Sequence, residues 1–341
     1  MSNLRFQNAL QGIPQAVPPV WFMRQAGRYH QHYQKLKEKY SFEDLCKNPE
    51  LAARTAMGPI EDFDFDLAIL FSDILFPLEA LGMGLRYNPG PQFDWQIQGL
   101  KDLELLIPVD DAIGNLQFQK KAVQLTRSML PTDKSLIGFV GGLYTLFSYA
   151  TVGKHNGREP LPLMARDLRD AFLPILEELL VQNIELQLAG GAEIVMIFDT
   201  AAGSLSPHLF RDIVLPGLQR FVREFPGKIG YYALGVTRDH HSMLSNLKGL
   251  AGYGMDHRFA IEHSLAENEG QKFIQGNFDQ SLLFLNTSDF ERCFREWLAP
   301  IKELAVEERA GWVCGLGHGV LPGTPEKHVR LFVEKIRETF G

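Results

Sequence analysis

The feature that most constrains the fold is an alternation of short apolar runs with longer amphipathic segments along the whole chain. Strands buried on both faces read as short apolar runs of this kind. The eight runs are Val20–Met23, Ala68–Phe71, Leu136–Val140, Glu193–Phe198, Lys228–Leu234, Gly252–Met255, Lys272–Gln275 and Gly311–Gly315. Strands that alternate with helices form a parallel sheet, and eight strands closed on themselves fill their own interior. We therefore predict a single α/β domain over residues 1–341, a (β/α)8 TIM barrel. An open doubly wound sheet is the alternative, although no Gly-x-Gly-x-x-Gly follows the first run.

Helix signals fill the gaps between these runs. Apolar residues at helical spacing predict a last helix near the carboxyl terminus, with Thr324 as its N-cap and Pro325 as its first residue. Two further helices are predicted over Asn48–Met57 and Leu168–Leu188. A turn signal within Leu85–Gln98 indicates a small hairpin outside the barrel.

Composition excludes several classes of protein. The formal net charge is −7 and the sequence pI is about 5.8, so net charge gives no help in binding nucleic acid or an anionic membrane surface. No apolar stretch is long enough for a membrane helix or a signal peptide. Three cysteines without a Cys-x-x-Cys pair indicate a reduced, cytoplasmic protein with no disulfide framework.

Polar and small residues gather just past the predicted strands. In a (β/α)8 barrel the active site lies at the carboxyl ends of the strands, so these positions are the candidate site. They are Arg24, Gln25, Ala26, Gly27 and Arg28 after the first strand, Ser72 and Asp73 after the second, Tyr149 beyond the third, Asp199 and Thr200 after the fourth, and His318 after the eighth.

Arg24, Arg28 and Asp73 are the strongest candidates. Two guanidinium groups near a barrel mouth would bind carboxylates or phosphates through forked hydrogen bonds, unless each pairs with a structural carboxylate. Asp73 lies in an apolar run, where a carboxylate is costly to bury unless it is paired. It either stabilises a bound cation or caps a helix that begins at Ile74.

His318, Tyr149 and Thr200 complete the candidate set. His318 lies between two glycines, which permit close approach of a ligand, or its ring satisfies loop backbone groups. Tyr149 and Thr200 either donate hydrogen bonds to a carboxylate or serve as core and capping residues. No spacing typical of a zinc site is present, so we predict no metal.

Several segments, in this order along the chain, together resemble one known family. They are Pro18–Tyr29, Phe71–Leu75, Gly138–Gly153, Ile197–Thr200, Gln275–Asp279 and Leu316–Pro322. They resemble the signatures of the uroporphyrinogen decarboxylases, and the resemblance covers nearly the whole chain. It implies a single-domain barrel and a homodimer that needs no cofactor.

The resemblance also implies a reaction and residue roles. The family converts the four acetate side chains of uroporphyrinogen, a tetrapyrrole with eight carboxylates, to methyl groups and gives coproporphyrinogen for haem synthesis. Carried over, Arg24, Arg28 and His318 bind substrate carboxylates, and Asp73 binds the pyrrole N–H groups. Tyr149 and Thr200 contact the substrate, and the Gln25–Gly27 backbone lines the pocket.

Two alternatives stay open, and three departures from the family pattern motivate the first of them. The segment His30–Gln34, His257 and Gln280 replace residues usual in the family. One alternative is a tetrapyrrole-binding protein without catalysis. The other is a corrinoid methyltransferase of the same superfamily, which needs a His-x-Cys zinc pair that Tyr232–Val236 does not supply.

Overall fold

The fold is built around a curled parallel sheet. It is seen in a computed structural model that describes residues 2–154 and 166–341. The strands are β1 (Leu67–Ile69), β2 (Arg86–Tyr87), β3 (Pro91–Gln92), β4 (Ser135–Gly141), β5 (Val195–Phe198), β6 (Ile229–Tyr232), β7 (Leu250–Gly254), β8 (Phe273–Phe278) and β9 (Trp312–Leu316). Seven of them pair in the order β1-β4-β5-β6-β7-β8-β9, each parallel to its neighbours. Seven of the eight predicted strands are therefore confirmed, with ends shifted by at most three residues.

The segment around Val20 occupies the eighth position, between β9 and β1. Val20 forms a parallel bridge with Cys314, and Trp21 N–H donates to the Cys314 carbonyl at 3.0 Å. On the other side Asp66 N–H donates to the Val20 carbonyl, also at 3.0 Å. These bonds join the two edges of the sheet and give the predicted α/β barrel.

The predicted strand over Val20–Met23 is wrong in extent, because only Val20 bridges a neighbour. Pro19 has no N–H to donate. The N–H of Val20 donates to the Asp66 carboxylate at 2.6 Å instead of to a strand. A regular ladder therefore does not form here.

Asp66 binds residues near both ends of the chain at the junction of β9, Val20 and β1, which we call the seam. Its side chain is 1% exposed. It accepts a hydrogen bond from Asn3 Nδ2 at 3.1 Å and forms ion pairs with Arg5 and Arg337. The charges and donors compensate the cost of burying the carboxylate.

Helices cover the outside of the sheet. Within the described residues the α-helices are α1 (Leu4–Gln11), α2 (Gln31–Lys37), α3 (Phe42–Lys47), α4 (Pro49–Phe63), α5 (Phe76–Leu78), α6 (Val109–Ala112), α7 (Gln117–Met129), α8 (Leu143–Val152), α9 (Arg166–Gly190), α10 (Pro207–Ile213), α11 (Leu215–Glu224), α12 (Arg238–Ser245), α13 (Ile261–Asn268), α14 (Thr287–Glu303) and α15 (Glu326–Phe340). No helix among them is long and apolar enough to cross a membrane.

The predicted helices are confirmed, with one correction. The side chain of Asn48 accepts from the N–H groups of Glu50 and Leu51, which caps α4 as expected. The last helix begins one residue later than predicted, because Pro325 and not Thr324 is its N-cap. The Thr324 hydroxyl donates to the Leu321 carbonyl at 2.8 Å, so it stabilises the preceding turn. The antiparallel pair of β2 and β3 confirms the hairpin.

Candidate active site

A cavity opens at the carboxyl ends of the barrel strands, where the sequence predicts the site. Its volume is about 300 Å³, or about 1130 Å³ when the open mouth is included. Five segments that follow predicted strands contribute to its lining. The lining residues are Met23, Arg24, Gln25, Ala26, Ala56, Ile69, Leu70, Phe71, Ser72, Asp73, Ile74, Leu75, Pro91, Phe139, Tyr149, Phe198, Thr200, Tyr232, His318 and Gly319.

Asp73 places a carboxylate in an otherwise apolar part of this wall. Its Oδ1 accepts the N–H of Leu75 at 2.8 Å. Burial raises the pKa of Asp73, while the hydrogen bond from Leu75, the Tyr87 hydroxyl and then the charge of Arg24 lower it. The predicted capping role is wrong, because the helix begins at Phe76 with Leu75 as its N-cap and no side chain caps it. The carboxylate therefore fixes its own loop and still lines the cavity.

Arg24 occupies a conformation that few L-residues adopt, with φ at 59°. Its side chain passes over Gly319, where a Cβ atom would lie 2.5 Å from Arg24 Cδ. Within the described residues it forms no ion pair, so no structural carboxylate neutralises it there. Its charge lowers the pKa values of both Asp73 and His318.

Arg28 and Gly27 do not line the cavity, unlike Arg24, Gln25 and Ala26. Arg28 is exposed, and no ion pair links it to a described carboxylate. Its charge lowers the pKa of Tyr33, which burial raises more strongly. A role for Arg28 in binding therefore remains a prediction for the mouth of the site.

Gln25 anchors the loop that carries Arg24. Its Nε2 donates to the Leu67 carbonyl at 3.0 Å, and its own carbonyl accepts from the Tyr29 hydroxyl at 2.7 Å. His30, one of the departures from the family pattern, stacks on Tyr29 at 5.8 Å and pairs through Nε2 with Asp62 at 2.7 Å. His30 therefore stabilises this loop through Tyr29 and does not itself form part of the cavity wall.

His318 is held by Tyr232, which ends β6 and which sequence reasoning missed. The Tyr232 hydroxyl lies 3.0 Å from His318 Nδ1 and 2.8 Å from the Gly317 carbonyl oxygen. The two rings stack with centroids 5.8 Å apart. Burial, followed by the charge of Arg24, lowers the pKa of His318 to about 4. The imidazole is therefore neutral at pH 7.

Asp199 is structural, whereas Thr200 and Tyr149 face the cavity. The buried Asp199 carboxylate accepts from Thr145 N–H at 2.8 Å and from Thr145 Oγ1 at 2.7 Å. A Cβ atom at Gly142 would lie 2.2 Å from the Asp199 side chain, so only glycine allows this contact. Asp199 therefore ties the end of β5 to the start of α8, which carries Tyr149.

The remaining departures lie behind the site. His257 Nε2 is 3.8 Å from Asp279 Oδ2, and the backbone N of His257 packs against Gly317. Gln280 begins the short 3-10 helix that Asp279 caps. In residues 2–154 and 166–341 no group of three His, Cys, Asp or Glu side chains is arranged to hold a metal ion.

Comparisons with known proteins place the chain in a family. The uroporphyrinogen decarboxylase family profile matches residues 1–339. Uroporphyrinogen decarboxylase of Pelobacter propionicus is 32% identical over 343 residues, covering 98% of each chain. That of Citrifermentans bemidjiense is 33% identical over 340 residues, covering 97% of each. A solved methyltransferase from Methanosarcina mazei is 19% identical but shares the fold, with a TM-score of 0.78 over 99% of this chain and 98% of that one. The chain belongs to the uroporphyrinogen decarboxylase family.

Proposed function

We propose that this protein removes carbon dioxide from the four acetate side chains of uroporphyrinogen III and gives coproporphyrinogen III, without a cofactor. Family membership supports the reaction. The observation that carries it to this chain is the Asp73 carboxylate in an apolar wall, with the Arg24 guanidinium, which no described carboxylate pairs, near it. That combination suits a substrate that is anionic at its edge and carries N–H donors at its centre.

Asp73 supplies the electrostatic part of the chemistry. An aliphatic carboxylate loses carbon dioxide only when an electron sink accepts the electron pair of the breaking bond. Protonation of a pyrrole carbon next to the acetate provides a cationic ring as that sink. After carbon dioxide leaves, the methylene carbon takes a proton to become the methyl group and the ring carbon loses its own, so each acetate consumes one proton from solvent. An ionised Asp73 that accepts the pyrrole N–H groups stabilises this cation, and it acts most strongly in a wall from which water is excluded. Bound N–H donors also lower its pKa, which keeps it ionised in the complex.

The carboxylates of the substrate meet a locally positive mouth on an acidic protein. We assign the binding of these carboxylates to Arg24, Arg28 and His318, with Tyr149 and Thr200 as hydrogen-bond donors. The Gln25–Gly27 backbone follows the edge of the substrate. The chain carries a net charge of −7, so the cavity needs its own cations to attract an octacarboxylate.

We further propose that the protein is a cytoplasmic homodimer of single-domain subunits. The family resemblance supports the dimer and the single domain. Free Cys46, Cys293 and Cys314 are consistent with a reducing compartment. Light scattering after size-exclusion chromatography tests the proposed dimer, because a monomer of 38.5 kDa would contradict it.

The decisive test is anaerobic incubation of the chelator-treated protein with uroporphyrinogen III. The products are oxidised and separated by chromatography. We expect stepwise loss of four carboxylates, and we expect Asp73→Asn to reduce kcat by about 10²–10³, the usual effect of removing one electrostatic stabiliser. Tight binding without conversion by the parent would refute decarboxylation and favour the tetrapyrrole-binding alternative.

Asp279 offers a matched control for Asp73. Its Oδ1 accepts the N–H of Ser281 at 2.8 Å, the same local bond that Asp73 forms with Leu75. Asp279 does not line the cavity. Asp279→Asn should therefore retain activity, and an equal loss in both variants would mean that the effect of Asp73→Asn is not specific to the cavity.

A further inference from the structure

The Tyr232 hydroxyl lies between two hydrogen-bond partners and has a single proton to give. It is 2.8 Å from the Gly317 carbonyl oxygen and 3.0 Å from His318 Nδ1. Tyr232 is 1% exposed, and its ring stacks on the imidazole. The proposed decarboxylation assigns this residue no task, so its effect on His318 is a separate question.

The Gly317 carbonyl determines the direction in which the Tyr232 hydroxyl donates its proton. A carbonyl oxygen only accepts, and among the described residues Tyr232 is the group that donates to Gly317. Leaving a buried carbonyl without a donor costs about 1–3 kcal/mol. The hydroxyl therefore donates to Gly317, and its oxygen accepts from His318 Nδ1–H. A neutral imidazole carries one N–H, so Nε2 is left with a lone pair.

Nε2 is the ring nitrogen available to a ligand. Within residues 2–154 and 166–341 it forms no hydrogen bond, and His318 lines the cavity. The charged groups that act on the ring are Arg24 and His257, which lower its pKa, and Asp256, which raises it. Burial is the largest effect and lowers it further. Neutral His318 therefore presents an acceptor at Nε2, where a carboxylate requires a donor.

We propose that Tyr232 is a positioning residue that holds the proton of neutral His318 on Nδ1, so that His318 binds a substrate carboxylate only after Nε2 takes up a proton. The inference rests on the proposed function for the identity of the ligand. The proton comes from solvent when the carboxylate binds and returns to solvent when the product leaves, so no net proton is consumed. Without that proton, the lone pair of His318 Nε2 would face a lone pair of the carboxylate oxygen, and the two would repel each other.

The tautomer can be read without any activity. The ten histidines are labelled with 15N, and two-bond nitrogen–proton correlations identify which ring nitrogen carries the proton. His318→Asn assigns the signal by its loss. We expect the Nδ1–H form in the parent at pH 7. An Nε2–H signal in the parent would overturn the proposal, and this result does not depend on how any Tyr232 variant folds.

Tyr232→Phe then tests the link to binding. Without the hydroxyl, His318 is free to place its proton on Nε2 and to donate without proton uptake. The ratio of parent to variant kcat/KM should fall about tenfold per pH unit above neutrality, the dependence of a one-proton step. Taking a ratio removes the titrations that both proteins share. A ratio that stays constant with pH would overturn the coupling of binding to proton uptake.

Tyr253→Phe is the matched control. Tyr253 lies on the next strand and faces a separate groove beside α12 and α13. It should leave both the His318 tautomer and the pH profile unchanged. An inactive parent with the expected tautomer would refute the proposed function alone, whereas an active parent with the Nε2–H tautomer would refute this inference alone.

Discussion

Gly319→Ala should displace the Arg24 side chain while leaving its guanidinium group chemically unchanged. A Cβ atom at position 319 would lie 2.5 Å from Arg24 Cδ and 2.7 Å from Cγ. Carbon atoms in contact need about 3.5–4.0 Å, so the arginine stem has to move by about 1 Å. The backbone at Gly319 is not in the left-handed region, so alanine is tolerated there. The substitution therefore acts through the Arg24 side chain.

The magnitude follows from what the guanidinium binds. A hydrogen bond to a charged group contributes about 1.5–3 kcal/mol. Losing that bond in the transition state corresponds to a fall of about ten- to 150-fold in kcat/KM. The free energy of unfolding should change by less than about 1 kcal/mol, because the displaced atoms belong to a flexible, exposed side chain.

The assay is steady-state decarboxylation of uroporphyrinogen, with urea unfolding measured in parallel. Gly114→Ala serves as the control, because a Cβ atom there meets nothing within 4 Å. Arg24→Ala sets the full loss for comparison. Unchanged kcat/KM in Gly319→Ala, beside a large loss in Arg24→Ala, would refute the claim that the arginine must lie over Gly319 to work.

Three further predictions concern buried carboxylates, and urea unfolding measures each. Burial raises the pKa of Asp73, so ionising it costs the folded state; Asp73→Asn should add on the order of 1 kcal/mol of stability near pH 8. This gain should vanish as the pH falls below the ordinary Asp range, and a gain independent of pH would contradict the reasoning. Thr145→Val removes a donor to Asp199 and should cost about 1–3 kcal/mol, whereas Thr145→Ser should cost less. Arg337→Leu should cost about 1.5–3 kcal/mol, with Arg337→Lys intermediate; no loss would mean that Arg5 alone compensates Asp66.

The strands and much of the candidate site could be predicted because both depend on local sequence. A buried parallel strand needs a short apolar run, and the residue after it lies at the mouth of the barrel whatever the details of packing. Arg24, Asp73, Thr200 and His318 were found in this way, and all four line the cavity. The family signatures gave them roles, which stay predictions until the assays are done.

What the sequence could not predict depends on which side chains meet across the barrel. Tyr232 reads as one more apolar residue at the end of β6, and nothing local indicates a stack on His318. Asp199 reads like Asp73, a carboxylate after a strand, yet its Thr145 partner makes it structural. Arg24 and Arg28 both follow the first predicted strand, so the sequence alone does not distinguish them. The geometry of the loop does, because Arg24 lines the cavity and Arg28 does not.

The ion pairs of Asp66 cannot all form until late in the synthesis of this chain. Arg337 and Asp66 are 271 residues apart, so the ribosome releases the whole barrel before the two can meet. Until then Asp66 has donors from Asn3, Arg5 and Val20 but lacks its last cation. Contacts this distant in sequence form late, because they require closure of a long loop. In the nascent chain Asp66 therefore lacks one of its two cations until the last helix packs at the junction of β9, Val20 and β1.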